Sequence, residues 1–140
     1  VHPDLSEPFL VADHRKELDK KIIIQRTFRY RNHLIDYRFL NKFNNLFFVG
    51  NLEEFNDLKR EVKNLNFYDC KDFFDMACVV KSSKFVIANS SLTFPIAEGL
   101  QVPRLLEASP DFPAAQPHGN NAFNFYFQSH FEERVNFLNK

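Results

Sequence analysis

Residues 84–107 read KFVIANSSLTFPIAEGLQVPRLLE, and the fold is decided here. Phe85, Val86 and Ile87 form a short apolar run, the pattern of a parallel strand buried on both faces. Asn89, Ser90 and Ser91 follow at once; these residue types favour helix N-caps, where a side-chain oxygen accepts from an early helical N–H. Ile96, Ala97 and Leu100 then recur at helical spacing, with Phe94 on the flank. Gly99, Gln101 and Pro103 end that helix, and Leu105 and Leu106 open a new apolar run. The order is strand, polar turn, helix, strand. A polar turn between a buried strand and a helix N-terminus suits an anion, and in open α/β sheets ligands bind in the crevice at the carboxyl ends of the strands.

The same alternation extends in both directions. Upstream, residues 21–28 (KIIIQRTF) carry three consecutive Ile, again a strand buried on both faces. A basic and aromatic loop, residues 26–33 (RTFRYRNH), comes next, then a short helix over 35–43 with Asp36 in its first turn. Residues 45–50 (NLFFVG) read as a second strand closed by Gly50. The helix at 53–62 has Phe55, Leu58 and Val62 on one face. Phe67 and Tyr68 mark a third strand, and residues 72–81 a helix with Phe73, Ala77 and Val80 turned inward. Downstream, residues 109–121 form a proline-rich loop. Residues 124–138 begin strand-like and become helical near Ser129, with Phe131, Val135 and Leu138 on one face. Residues 1–20 read as an extended lead-in, with Phe9, Leu10 and Val11 as an anchoring segment. The expectation is an α/β chain: one three-layer Rossmann-like domain over 21–140, its sheet of about five mostly parallel strands covered by helices on both faces. Two strand orders fit, 3-2-1-4-5 and 2-1-3-4-5.

Composition narrows the function. At 140 residues the chain is long enough for one well-buried core. Its 18 basic and 18 acidic residues cancel, which argues against a dedicated nucleic-acid binder. No apolar run approaches the roughly 18 residues that cross a bilayer, so no membrane span and a cytoplasmic location are expected. Cys70 and Cys78 have no zinc spacing and read as reduced thiols; the five His are scattered, so neither a metal nor a cofactor is expected. There is no G-x-G-x-x-G after the first strand and no G-x-x-x-x-G-K-[ST], which argues against a dinucleotide oxidoreductase and a P-loop enzyme.

The candidate ligand residues cluster after the strands. Arg26, Arg29 and Arg31 follow the first strand, and guanidinium matches the oxygens of a nucleoside diphosphate with planar, paired donors. The plainer reading pairs them with Asp36 or the acidic helix near Glu53. Asn89, Ser90 and Ser91 can donate to phosphate or ribose oxygens, or serve only as a cap. Glu107, ending the fifth strand, can accept ribose hydroxyls, whereas Glu98 faces solvent or pairs with Arg104. His118 and Asn120 lie in a polar turn that could close over the site as a lid, or simply be exposed.

Residues 72–107, and within them FFDMACVVKSSKFVIANSSLTFPIAEGLQVP, resemble the C-terminal, donor-binding half of two-domain GT-B glycosyltransferases, and in particular the ADP-heptose:lipopolysaccharide heptosyltransferases. Asn89 falls on that family's Asp, Ser90 on its Ser, Ser91 on its Gly and Ala97 on a helix Ala, while Phe94 stands where the family has His. The likeness in pattern runs over residues 21–107. It implies a nucleotide-sugar site along the carboxyl ends of the strands. The phosphates would lie at Asn89, Ser90 and Ser91, the loop from Thr27 to Asn32 close by, and the loop of residues 69–73 beside the base. In such enzymes an amino-terminal domain commonly supplies the acceptor base. No catalytic residue stands out in this chain, which begins at Val1 and leaves no room for a second such domain before Lys21. The expectation is a transferase half that works with an acceptor domain or partner chain; the alternative is a non-catalytic Rossmann-like binding or interaction module.

Overall fold

A computed structural model describes residues 12–111 and 117–140. The elements are β1 (Ile22–Gln25), β2 (Leu46–Phe48), α1 (Leu52–Lys59), β3 (Asn66–Phe67), α2 (Phe73–Ser82), β4 (Phe85–Ala88), α3 (Thr93–Leu100), β5 (Arg104–Glu107), β6 (Ala122–Phe125) and α4 (Gln128–Leu138). Short 3-10 turns occupy Lys16–Leu18 and Tyr37–Lys42. The six strands form one parallel sheet in the order β3-β2-β1-β4-β5-β6. This is the first of the two expected orders, with β6 added at its edge.

The alternation of side chains along each strand divides the core into two layers. Ile22 and Ile24 of β1, Phe85 and Ile87 of β4, Leu105 of β5 and Phe125 of β6 face Tyr37, Leu40, Leu58, Phe131 and Val135. Ile23, Val86, Ala88 and Leu106 face Met76, Ala77, Val80, Phe94, Ile96, Ala97 and Leu100 of α2 and α3. Helices therefore cover both faces, which is why β1 and β4 read as unbroken apolar runs.

Local chemistry sets the helix ends. Asn51 caps α1 by accepting from Glu54 N–H at 2.8 Å, and Asp72 caps α2 by accepting from Asp75 N–H at 2.8 Å. Gln101 ends α3 in the left-handed conformation with φ of 55°, a place usually given to glycine.

Several expectations change. The helix expected at 35–43 is a 3-10 turn, capped by Asp36. Phe73 does not turn inward: it opens α2 beyond the end of the sheet and is 53% exposed. Residues 12–20 are docked, with Leu18 in the core and Arg15 paired to Asp75 at 3.3 Å. The anchoring segment expected at Phe9, Leu10 and Val11 lies outside the described residues, as does part of the proline-rich loop.

Candidate functional site

In the observed order the chain reverses direction across the sheet between β1 and β4. Ligands of open α/β sheets lie at such a reversal, outside the carboxyl ends of the strands. The loops leaving β1 and β4 carry Arg26, Thr27, Arg29 and Arg31 on one side and Asn89, Ser90 and Ser91 on the other. The structure brings these seven predicted residues to one edge.

Asn89 joins the two loops. Fully buried, it accepts from Thr27 N–H at 3.1 Å and donates to the carbonyls of Thr27 and Arg29, each at 3.0 Å. It caps no helix. The N-cap of α3 is Leu92, without a side-chain bond, and the first helical N–H, on Thr93, donates to Gln25 Oε1 at 2.9 Å. Pro95 has no N–H to offer. The expected cap at residues 89–91 is thereby replaced by a cap from β1, and the α3 terminus is a poorer anion cradle than the sequence implied.

Glu107 is the centre of a second knot. Its carboxylate, 1% exposed, accepts from Arg26 Nε at 2.8 Å and Nη2 at 3.0 Å, Asn32 N–H at 2.7 Å and Tyr37 Oη at 2.6 Å. The Arg26 guanidinium also stacks 4.3 Å from the Tyr37 ring centre. Burial works against charge on Arg26, yet Tyr37 and Glu107 outweigh it and raise its pKa. Burial, then the Glu107 charge, holds the Tyr37 hydroxyl well above its ordinary value. These two predicted ligand residues are thus paired with each other, and the Glu107 carboxylate already accepts four hydrogen bonds from this chain.

Arg31 is engaged as well. It donates to Asp57 of α1 at 2.7 Å and to the Thr27 carbonyl at 3.1 Å, as the plainer reading of the acidic helix anticipated. Arg29 differs. It is exposed, its guanidinium lies 5.8 Å from the Tyr30 ring centre, and no described carboxylate pairs with it. Tyr30 itself has φ of 62°, a conformation that bulky side chains rarely hold. Ser90 is half-buried with no hydrogen bond among the described residues, while Ser91 bonds back to the Asn89 carbonyl.

His118 and Asn120 stand elsewhere. β6 runs parallel to β5, with Ala122 opposite Arg104, so the segment entering β6 lies at the amino edge of the sheet. There Glu98 accepts from Arg104 Nε at 2.7 Å and from His118 N–H at 3.0 Å, and the Arg104 guanidinium also donates to the His118 carbonyl. The expected lid over the site is therefore a staple at the opposite end of the molecule.

The sequence reading missed Gln25, which caps α3, and Glu54, which accepts from Phe28 N–H at 3.2 Å. It also missed Asn32, whose amide reaches the carbonyls of Ala108 and Tyr126, each at 2.8 Å. For Gln25 the available signal was a polar residue ending an apolar strand. A cleft of about 200 Å³ opens after β3, lined by Arg15, Tyr68, Asp69, Lys71, Asp72, Phe74 and Asp75. A larger groove of about 530 Å³ lies away from this edge, between β6 and α4. Cys70 and Cys78 are free thiols; burial, then Asp75 and Asp69, pushes Cys70 up to about 12. Among the described residues no group of His, Cys, Asp or Glu is placed to hold a metal, and no helix is long and apolar enough to cross a membrane.

No protein-family model and no curated protein matches this chain. Among solved structures it matches ADP-heptose LPS heptosyltransferase II of E. coli, with a TM-score of 0.63 and 13% identity. The match covers 86% of this chain and 47% of that one, so the chain spans about half the length of the structure it resembles. At that identity the likeness is one of fold, and this chain has the α/β fold of part of that glycosyltransferase.

Proposed function

We propose that this domain binds a nucleotide-sugar donor at the carboxyl edge of its sheet, as one half of a two-domain glycosyltransferase that works in the cytoplasm. The observation that carries the reading is Arg29, an exposed guanidinium with no described carboxylate partner, held beside the reversal of strand order. Phosphate oxygens meet Arg29 together with the Ser90 hydroxyl. The cleft after β3 takes the base, between Tyr68 and Phe74. Acceptor activation belongs to a second domain or partner chain, consistent with the greater length of the matched enzyme.

Calorimetric titration with a panel of nucleoside diphosphates and their sugars tests this. A ligand that binds only the folded state raises stability by about 2.7 kcal/mol at a hundredfold excess over Kd. At least one member of the panel is expected to bind; no heat and no thermal shift with any of them at millimolar concentration overturns the reading.

One observation favours the interaction-module reading. Phe28, Leu34, Leu52, Phe73, Phe74, Leu92 and Phe127 are all about half exposed or more, and all lie in loops or first helical turns after strand ends. Apolar side chains gathered at one edge suit a protein surface, which a second domain would also provide.

A further inference from the structure

Position 89 does something that its place in the strand–turn–helix does not announce. Its side-chain oxygen accepts a hydrogen bond from Thr27 N–H, and its amide nitrogen donates one hydrogen bond each to the carbonyls of Thr27 and Arg29. The two carbonyls need donors and the N–H needs an acceptor, so the orientation of the amide follows from its partners. All of this happens in a fully buried setting, where an unmade bond is costly. The loop is held from other directions too: Glu54 on Phe28 N–H, Asp57 on Arg31, and Glu107 on Arg26 and Asn32 N–H. Of the loop's three arginines, Arg29 alone has a side chain without such a tie among the described residues.

We propose that Asn89 is a positioning residue: its carboxamide holds residues 27–29 in a preformed shape that presents the Arg29 guanidinium to an anionic ligand, and aspartate cannot take its place. This rests on the nucleotide-sugar reading for the identity of the ligand, but the positioning itself does not. A carboxylate at this site would keep the bond from Thr27 N–H. It would also set a negative oxygen 3.0 Å from two backbone carbonyls that now accept hydrogen bonds. Arg26 and Arg31 cannot relieve it, because Glu107 and Asp57 already hold them. Glu54 and Glu107, on the elements packed against the loop, add negative charge nearby.

The test compares the wild-type chain with Asn89→Asp, Asn89→Ala and Arg29→Ala by amide hydrogen exchange over residues 27–32 and by titration with ADP-glucose. The pyrophosphate of that probe keeps its charge between pH 5 and pH 8. At pH 7 both Asn89 variants are expected to lose loop protection and to bind at least about tenfold more weakly, the size of one buried hydrogen bond. Arg29→Ala is expected to lose affinity with loop protection intact. The Asn89→Asp defect, unlike that of Asn89→Ala, is expected to shrink toward pH 5, because a protonated carboxyl can again donate to one carbonyl. Wild-type loop exchange and affinity in both Asn89 variants overturn the proposal. If the wild type binds none of the probe while the variants still exchange faster, the nucleotide reading falls and the positioning role stands. Should Asn89→Asp fail to fold, Asn89→Ala carries the comparison.

Discussion

Two arginine–glutamate knots close the two ends of this sheet, and they are built alike for different ends. At the carboxyl edge Arg26 is paired with Glu107; at the amino edge Arg104 is paired with Glu98. Both arginines are buried, at 5% and 0% exposure. The amino-edge knot ties the end of α3 to the segment entering β6. Its remaining donors go to the carbonyls of Val102 and His118. The carboxyl-edge knot ties a loop, and that loop still offers the Arg29 guanidinium, which pairs with no carboxylate among the described residues. The charge buried at each edge holds the fold together, and the proposed anion contact at the carboxyl edge rests on Arg29, which neither knot engages.

The largest effect expected is at Glu107. Glu107→Ala leaves the Arg26 guanidinium, the Tyr37 hydroxyl and Asn32 N–H without their shared acceptor. Removing one partner of a buried pair costs about 3–5 kcal/mol. The midpoint of urea unfolding measures it, and a loss under about 1 kcal/mol would break the comparison by showing that the knot is dispensable. Glu98→Ala should cost less, about 1–3 kcal/mol, because Arg104 keeps two carbonyl partners and Glu98 is partly reached by solvent. Equal losses at the two sites would mean that the clamped loop adds nothing to the cost at the carboxyl edge.

How far such distinctions can be read in the sequence depends on how local their causes are. Ile22 to Ile24 and Phe85 to Ile87 announce themselves as buried strands because three successive apolar residues fill both faces of a sheet. The strand order does not, since no residue of β1 specifies β4 as its neighbour. Asn89 was legible as polar and turn-forming, yet an asparagine that caps a helix and one that pins a loop 62 residues away in sequence look the same. The expected lid at His118 failed for a related reason. The turn is visible, but its edge is fixed only by the parallel pairing of β6 with β5. Phe73 failed because helical spacing gives a face and says nothing about how far the sheet extends beneath it.

A third effect, smaller and dependent on pH, separates the edges again. Cys70 follows β3 at the carboxyl edge, and burial, with Asp75 and Asp69, raises its thiol from 9.0 to about 12. A raised folded-state value means that the folded protein keeps a proton which the unfolded chain releases. This stability is fully present below pH 9 and is lost as pH rises from 9 toward 12. Tyr37, also raised, acts in the same direction above pH 10. Urea midpoints should fall between pH 8.5 and pH 10.5, and Cys70→Ser should flatten the fall. An unchanged slope in the variant would show that Cys70 does not cause the fall and would leave it to other raised groups, Tyr37 and Tyr68 among them.

The smallest effect on folding is the most informative about function. Arg29 is exposed, has no described carboxylate partner, and contributes only a distant stacking contact with Tyr30. Arg29→Ala should therefore change stability by no more than about 0.5 kcal/mol, as surface substitutions generally do. If its side chain is the remaining anion contact, the same change weakens a phosphate-bearing ligand strongly, because a guanidinium–phosphate bond is charge-assisted and about twice as strong as a neutral one. Equilibrium unfolding and calorimetric titration on the same preparation give both quantities. A variant that unfolds early would place Arg29 with Arg26 among the structural cations. A variant that is stable and binds as the wild type does would remove Arg29 as the anion contact, and would favour the apolar rim as the working surface.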